Sequence, residues 1–76
     1  MVSIYKLRSR VEDDEWYSKT ELMNATGVIA RRMDGFLDGV PFVSNQNKNM
    51  FLYKGSDVNK RIDDLVKDKR AIVFSD

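Results

Sequence analysis

Residues 18–40, SKTELMNATGVIARRMDGFLDGV, constrain the chain more than any other stretch, because they carry two helix signatures separated by one turn signal. Ser18 followed three residues later by Glu21 forms a capping box, in which each side chain satisfies an amide that the first helical turn leaves unpartnered. Tyr17 and Leu22 have the spacing of a hydrophobic staple around it. The pattern breaks at Ala25-Thr26-Gly27-Val28, where Gly27 is best able to take the left-handed backbone of a tight turn. A second helix follows. On a wheel of about 100° per residue, Ile29, Met33, Phe36, Leu37 and Val40 share one face, while Arg31, Asp34, Gly35 and Asp38 face away. Arg32 lies on the flank, placed to bury its stem and extend its guanidinium outward.

This segment reads as a helix-turn-helix. In such a unit the N-terminal part of the second helix approaches base edges in the major groove, and Arg31 and Arg32 occupy that part. Two short amphipathic helices joined by a glycine turn also occur in domains that never meet DNA, so the rest of the chain has to decide.

At 76 residues the chain is one domain, 1–76, with a modest core. It has no cysteine and no histidine, which removes thiolate chemistry and the commonest general base and metal ligand. The acidic residues stand in a run or beside lysines rather than in a ligand-like loop. The expectation is a protein that is not an enzyme and uses no metal, cofactor or small-molecule substrate. Apolar runs are only a few residues long, and the N-terminus has no signal-like apolar region, so a soluble, cytoplasmic protein is expected. Thirteen basic and 12 acidic residues leave a net charge of +1. Any nucleic-acid binding must therefore rest on local asymmetry.

From Ile4 the N-terminal stretch alternates, with Tyr5, Leu7 and Val11 on one side and Lys6, Arg8 and Arg10 on the other, as in a strand with a basic, solvated face. Glu12-Asp13-Asp14-Glu15 then reads as an exposed loop that must point away from any duplex or pair with basic residues of the chain. A contact with a basic protein partner is the other use of such a run. Trp16 and Tyr17 read as core rather than as base-stacking residues. Lys19 lies in a first helical turn, where a positive charge opposes the dipole and an outside phosphate would suit it.

Past the second helix, Pro41 stops the helix and biases Val40 to extended backbone. Phe42-Val43 and Met50-Phe51-Leu52-Tyr53 read as two strands joined by the polar tip Ser44-Asn45-Gln46-Asn47-Lys48-Asn49. Such a tip is an ordinary turn as well as a candidate for phosphate and sugar contacts. Ser56 is placed to cap a third helix starting at Asp57, with Val58, Ile62, Leu65 and Val66 inward. Lys60 with Asp64 and Asp63 with Lys67 have the spacing of surface pairs. Ala71-Ile72-Val73-Phe74 has strand composition and needs cover, from the N-terminal strand or from a second copy of the chain.

YSKTELMNATGVIARRMDGFLDGVPF followed by FLYKGSDVNKRI resembles the small DNA-binding domain shared by phage-type excisionases and MerR-like regulators, over about residues 16–66. The resemblance implies an α+β winged helix-turn-helix, with the helix-turn-helix at 18–40, a two-stranded wing at 41–54 and a third helix at 56–68. It places Arg31 and Arg32, with Ala30 beside them, at bases or phosphates in the major groove. Asn47 and Lys48 would lie in the wing, and Thr26 and Lys19 would hold phosphates nearby. The implied partners are double-stranded DNA, an integrase or recombinase, and further copies of the chain, in a bacterial or phage-infected cell. The implied role is architectural or regulatory, as an excisionase or a repressor of transcription. Asp34 and Asp38 depart from the pattern, since they occupy the outward face of the proposed reader; Asp34 could accept from a cytosine amino group or orient Arg31. The acidic run at 12–15 is a second departure, and with it a small protein-binding inhibitor or adaptor on the same scaffold is the alternative reading.

Overall fold

The computed structural model describes residues 4–45 and 50–74. In chain order the elements are β1 (Tyr5–Leu7), β2 (Trp16–Tyr17), α1 (Lys19–Thr26), α2 (Ala30–Phe36), β3 (Val43–Asn45), β4 (Met50–Lys54), α3 (Gly55–Lys67) and β5 (Ala71–Val73). This is an α+β domain with two small sheets. One is a parallel pair, β1 against β5, with Tyr5 opposite Ala71 and Leu7 opposite Val73; the other is antiparallel, in the order β2-β4-β3. Among the described residues no helix is long and apolar enough to cross a membrane.

The capping box forms as its spacing requires: the Glu21 amide donates to the Ser18 hydroxyl and the Ser18 amide to the Glu21 carboxylate, at 3.3 and 3.0 Å. Gly27 ends α1 in the left-handed region, φ 82°, with its amide on Met23 O. The second helix is shorter than the wheel implied. It starts at Ala30, with extended Ile29 as its N-cap, so the Ile29 side chain leaves the apolar stripe and is 50% exposed. It ends at Phe36, and Leu37 and Val40 reach the core from the turn that follows. Leu7, Leu22, Met33, Phe36, Ile62 and Leu65 form the centre of that core, each fully or almost fully buried. Tyr5 lies against Phe36 with ring centroids 5.6 Å apart.

Two further expectations are corrected. Trp16 is not core: its pairing with Lys54 and that of Tyr17 with Tyr53 put Tyr17 inward and Trp16 outward, where it is 44% exposed with the Lys54 ammonium 5.4 Å from its ring. Nor does Ser56 cap α3. The helix begins at Gly55, directly after β4 and with no intervening loop, and Lys54 in the N-cap position offers no side-chain bond. The acidic loop supplies the missing acceptors. Gly55 N–H donates to Glu15 O at 2.8 Å and Ser56 N–H to Asp13 O at 3.1 Å, so main-chain carbonyls satisfy helix amides that would otherwise be orphaned. Asn59 fastens the same loop. Its amide nitrogen donates to Val11 O and Asp13 Oδ1, and its oxygen accepts from Val11 N–H.

The loop sits so close that a Cβ on Gly55 would lie 1.7 Å from Glu12 O. That is a backbone atom, and no rotamer change can move it aside. Replacing Gly55 with Ala must therefore displace the loop, and urea denaturation should show a loss of about 3 kcal/mol, the upper end of what overpacking costs. An unchanged midpoint would mean that the loop does not hold this position.

Candidate nucleic-acid interface

The seven residues singled out from the sequence separate into five groups. Arg31 and Ala30 are exposed on the first turn of α2. Among the described residues Arg31 makes no side-chain hydrogen bond or ion pair, and the buried face of α2, Met33 and Phe36, is turned into the core. Its guanidinium is available to an external acceptor.

Arg32 is not extended outward as its flank position suggested. It turns back on β1, where Nη1 donates to Ile4 O at 3.0 Å and the guanidinium lies 4.2 Å from the Tyr5 ring centroid. A main-chain carbonyl at the start of β1 and an aromatic face together hold the cation, and stacking of this kind suits a planar guanidinium better than an ammonium. Arg32 thus fastens α2 to the N-terminal strand.

Lys19 spans the two helices. Its ammonium donates to Asp34 Oδ1 at 2.7 Å, and that hydrogen bond raises its pKa above the ordinary lysine value. Lys19 is therefore charged throughout the neutral range, and the pair's contribution is complete below the unfolded lysine pKa and lost only as alkaline pH passes the raised one. Both side chains are substantially exposed, so the pair contributes little to stability. Its effect is electrostatic. The Asp34 carboxylate, a poor neighbour for a phosphate, is partly neutralised from within the chain.

Thr26 cannot hold a phosphate. It is fully buried, its hydroxyl donates to Leu22 O at 2.6 Å and accepts from Val28 N–H at 3.3 Å, and it closes the α1–α2 turn from inside. Asn47 and Lys48 lie outside the described residues.

Sequence reasoning missed the hairpin side of this surface. Met50 and Phe51 of β4 face Ser18, Lys19 and Thr20 across a shallow groove, so the start of α1 and the hairpin form one continuous surface. Phe51 is 48% exposed and meets Phe42 edge to face at 5.1 Å. No local signal distinguishes these residues from ordinary hairpin core; only the fold brings them beside Lys19. The sequence also hid how other cations are used. Arg61 reaches from α3 to donate to Phe36 O and Gly35 O at the end of α2, Arg8 donates to Asn24 O at the end of α1, and Asp63 pairs with Arg10 rather than with Lys67.

Thr26→Val preserves shape and removes the hydroxyl, leaving the buried Val28 amide without its acceptor. The expected cost is about 1–3 kcal/mol in chemical denaturation, the range for an unsatisfied buried donor. Thr26→Ser, which keeps the hydroxyl, should retain most of that hydrogen bonding.

No protein-family model matches the chain, and no curated protein and no solved structure matches it.

Proposed function

We propose that the chain is a sequence-preferring DNA-binding protein, a small winged helix-turn-helix in which α2 enters the major groove and the β3–β4 hairpin is the wing. On this reading it acts without catalysis, as an excisionase-like architectural factor or a repressor of a phage or other mobile element. Its cellular setting is the cytoplasm, with double-stranded DNA as its principal partner. The observation that carries the reading is the state of Arg31: exposed on the first turn of α2 and free of internal partners among the described residues, while Arg8, Arg10, Arg32 and Arg61 are held by the chain itself. A guanidinium left free at the start of a second helix suits a guanine edge or a phosphate. Lys19 and Thr20, at the start of α1 beside the hairpin, extend the same surface toward the flanking backbone.

One observation favours the protein-binding alternative. Phe42, Val43 and Phe51 each expose about half of their surface on the hairpin, an apolar group that duplex DNA does not need. The acidic run supports that alternative less than its composition suggests, because Asp13 O and Glu15 O are engaged by α3.

Fluorescence-anisotropy titration with duplex DNA at two salt concentrations tests the DNA reading. Binding should weaken steeply with salt through counterion release. Arg31→Ala should weaken it by about 1–3 kcal/mol and relax preference at the base it contacts. Asp34→Asn should tighten binding several-fold, since it removes a carboxylate from the face and frees Lys19. Folded wild type that binds no duplex at either salt concentration overturns the reading and leaves the hairpin's apolar group as the surface to pursue.

A further inference from the structure

The two flanks of Arg31 on α2 are supported by different parts of the chain. On a helix of 3.6 residues per turn, Arg32 lies about 100° from Arg31 on one side and Asp34 about 60° on the other, with Met33 and Phe36 turned into the core behind them. Asp34 holds Lys19 at the start of α1, beside the hairpin. Arg32 holds the N-terminal strand, through Ile4 O and the Tyr5 ring. Thus α1 and the hairpin lie along one flank of α2 and β1 along the other.

The flank made by β1 is cationic. A groove runs between Ile4 and Lys6 on one side and Gly27, Val28 and Ile29, the turn leading into α2, on the other. Residues 4–8, 25–33 and 70–74, which this groove and the pairing of β1 with β5 bring together, carry five cations and no carboxylate. Two of the five are engaged by the chain, Arg8 with Asn24 O and Arg32 with Ile4 O. Lys6 is exposed between buried Tyr5 and Leu7, and among the described residues its ammonium makes neither hydrogen bond nor ion pair.

We infer that Lys6 is a phosphate contact, on the border of the major groove opposite the one that Lys19 approaches. The inference rests on the proposed entry of α2 into that groove. An α-helix with its side chains is about 10–12 Å across and the groove about 12 Å wide, so the elements on either flank of the helix meet the two phosphate rows that border it. One row falls to Lys19 and the hairpin, the other to β1. An ammonium on a flexible stem serves a phosphate oxygen as a point charge. The contact therefore adds affinity and fixes orientation, and it carries no sequence preference.

Fluorescence-anisotropy titration over a series of salt concentrations, on the best-bound duplex and on an unrelated one, tests the inference. Lys6→Gln should weaken both several-fold at low salt and to the same extent, and should make the slope of log affinity against log salt shallower by about 0.9. Arg31→Ala should instead change the preference between them. Lys60→Gln removes the same charge from an exposed position of α3 and should keep the wild-type slope. As a second measurement, Lys6→Cys in this cysteine-free chain can carry an iron chelate, whose radicals should cut the backbone bordering the bound site. Wild type that binds no duplex overturns the DNA reading and this inference with it. Wild type that binds, with Lys6→Gln unchanged in affinity and slope, with Lys60→Gln losing as much as Lys6→Gln, or with no cut from the tethered chelate, overturns the inference alone.

Discussion

The contact between the acidic loop and the first turn of α3 governs how the rest of this small domain is arranged. Glu12 O approaches Gly55 where any side chain would collide with it, and in return the loop's carbonyls take the helix's first amides. Because β4 runs into α3 without a loop, whatever fixes the start of α3 also fixes the end of the hairpin. The Tyr17 hydroxyl accepts the Glu12 amide at 2.9 Å, and β2, paired with β4, is thereby tied to the same loop as a third strand. One close backbone approach thus sets the hairpin relative to α1. The run Glu12–Glu15, which reads as a solvated stretch, is exposed in its side chains and structural in its main chain.

The same device recurs at the other helix ends. Carbonyls of Asn24, Ala25 and Thr26 at the end of α1 accept from Arg8 Nη1, Ser9 Oγ and Arg8 N–H respectively, and Gly35 O and Phe36 O at the end of α2 accept from Arg61. Neither α1 nor α2 has a basic residue of its own in its last turn, so distant cations complement the negative helix ends that local ones do not. In a domain with so small a core these remote caps link elements that little else joins. They also remove basic residues from the supply open to a partner. Thirteen cations in the sequence therefore overstate what the surface offers.

What was legible in the sequence was short in range. The Ser18–Glu21 box and the left-handed Gly27 depend on residues three or four apart, and the strand pairing of the hairpin depends on alternation and a polar tip, so both could be read directly. Met33, Phe36, Leu37 and Val40 were recognisable as core because a 3.6-residue period survives even where the helix stops early. Arg32, Arg61 and Ser56 were not legible, since their partners lie at Ile4, at Phe36 and at Asp13, tens of residues away. Thr26 misled for a related reason: a threonine beside a turn is equally suited to meeting a phosphate or to closing the turn, and only burial separates the two. Of the candidate site, Arg31 could be found from its position on the helix. The groove between Lys19 and Phe51 could not, because it joins two segments that no periodicity relates.

Electrostatics sets what the proposed DNA-binding surface could achieve. Each phosphate neutralised contributes a salt-dependent increment through counterion release, about 0.9 of a charge per contact on duplex DNA. Net charge of +1, with Arg8, Arg32 and Arg61 engaged by carbonyls of the chain itself, limits how many such contacts one copy can make. Asp34 lowers the number further except where Lys19 screens it. Such a surface is poorly equipped for tight binding by charge alone, and the sequence preference proposed for it would have to come from a few directed contacts such as one made by Arg31.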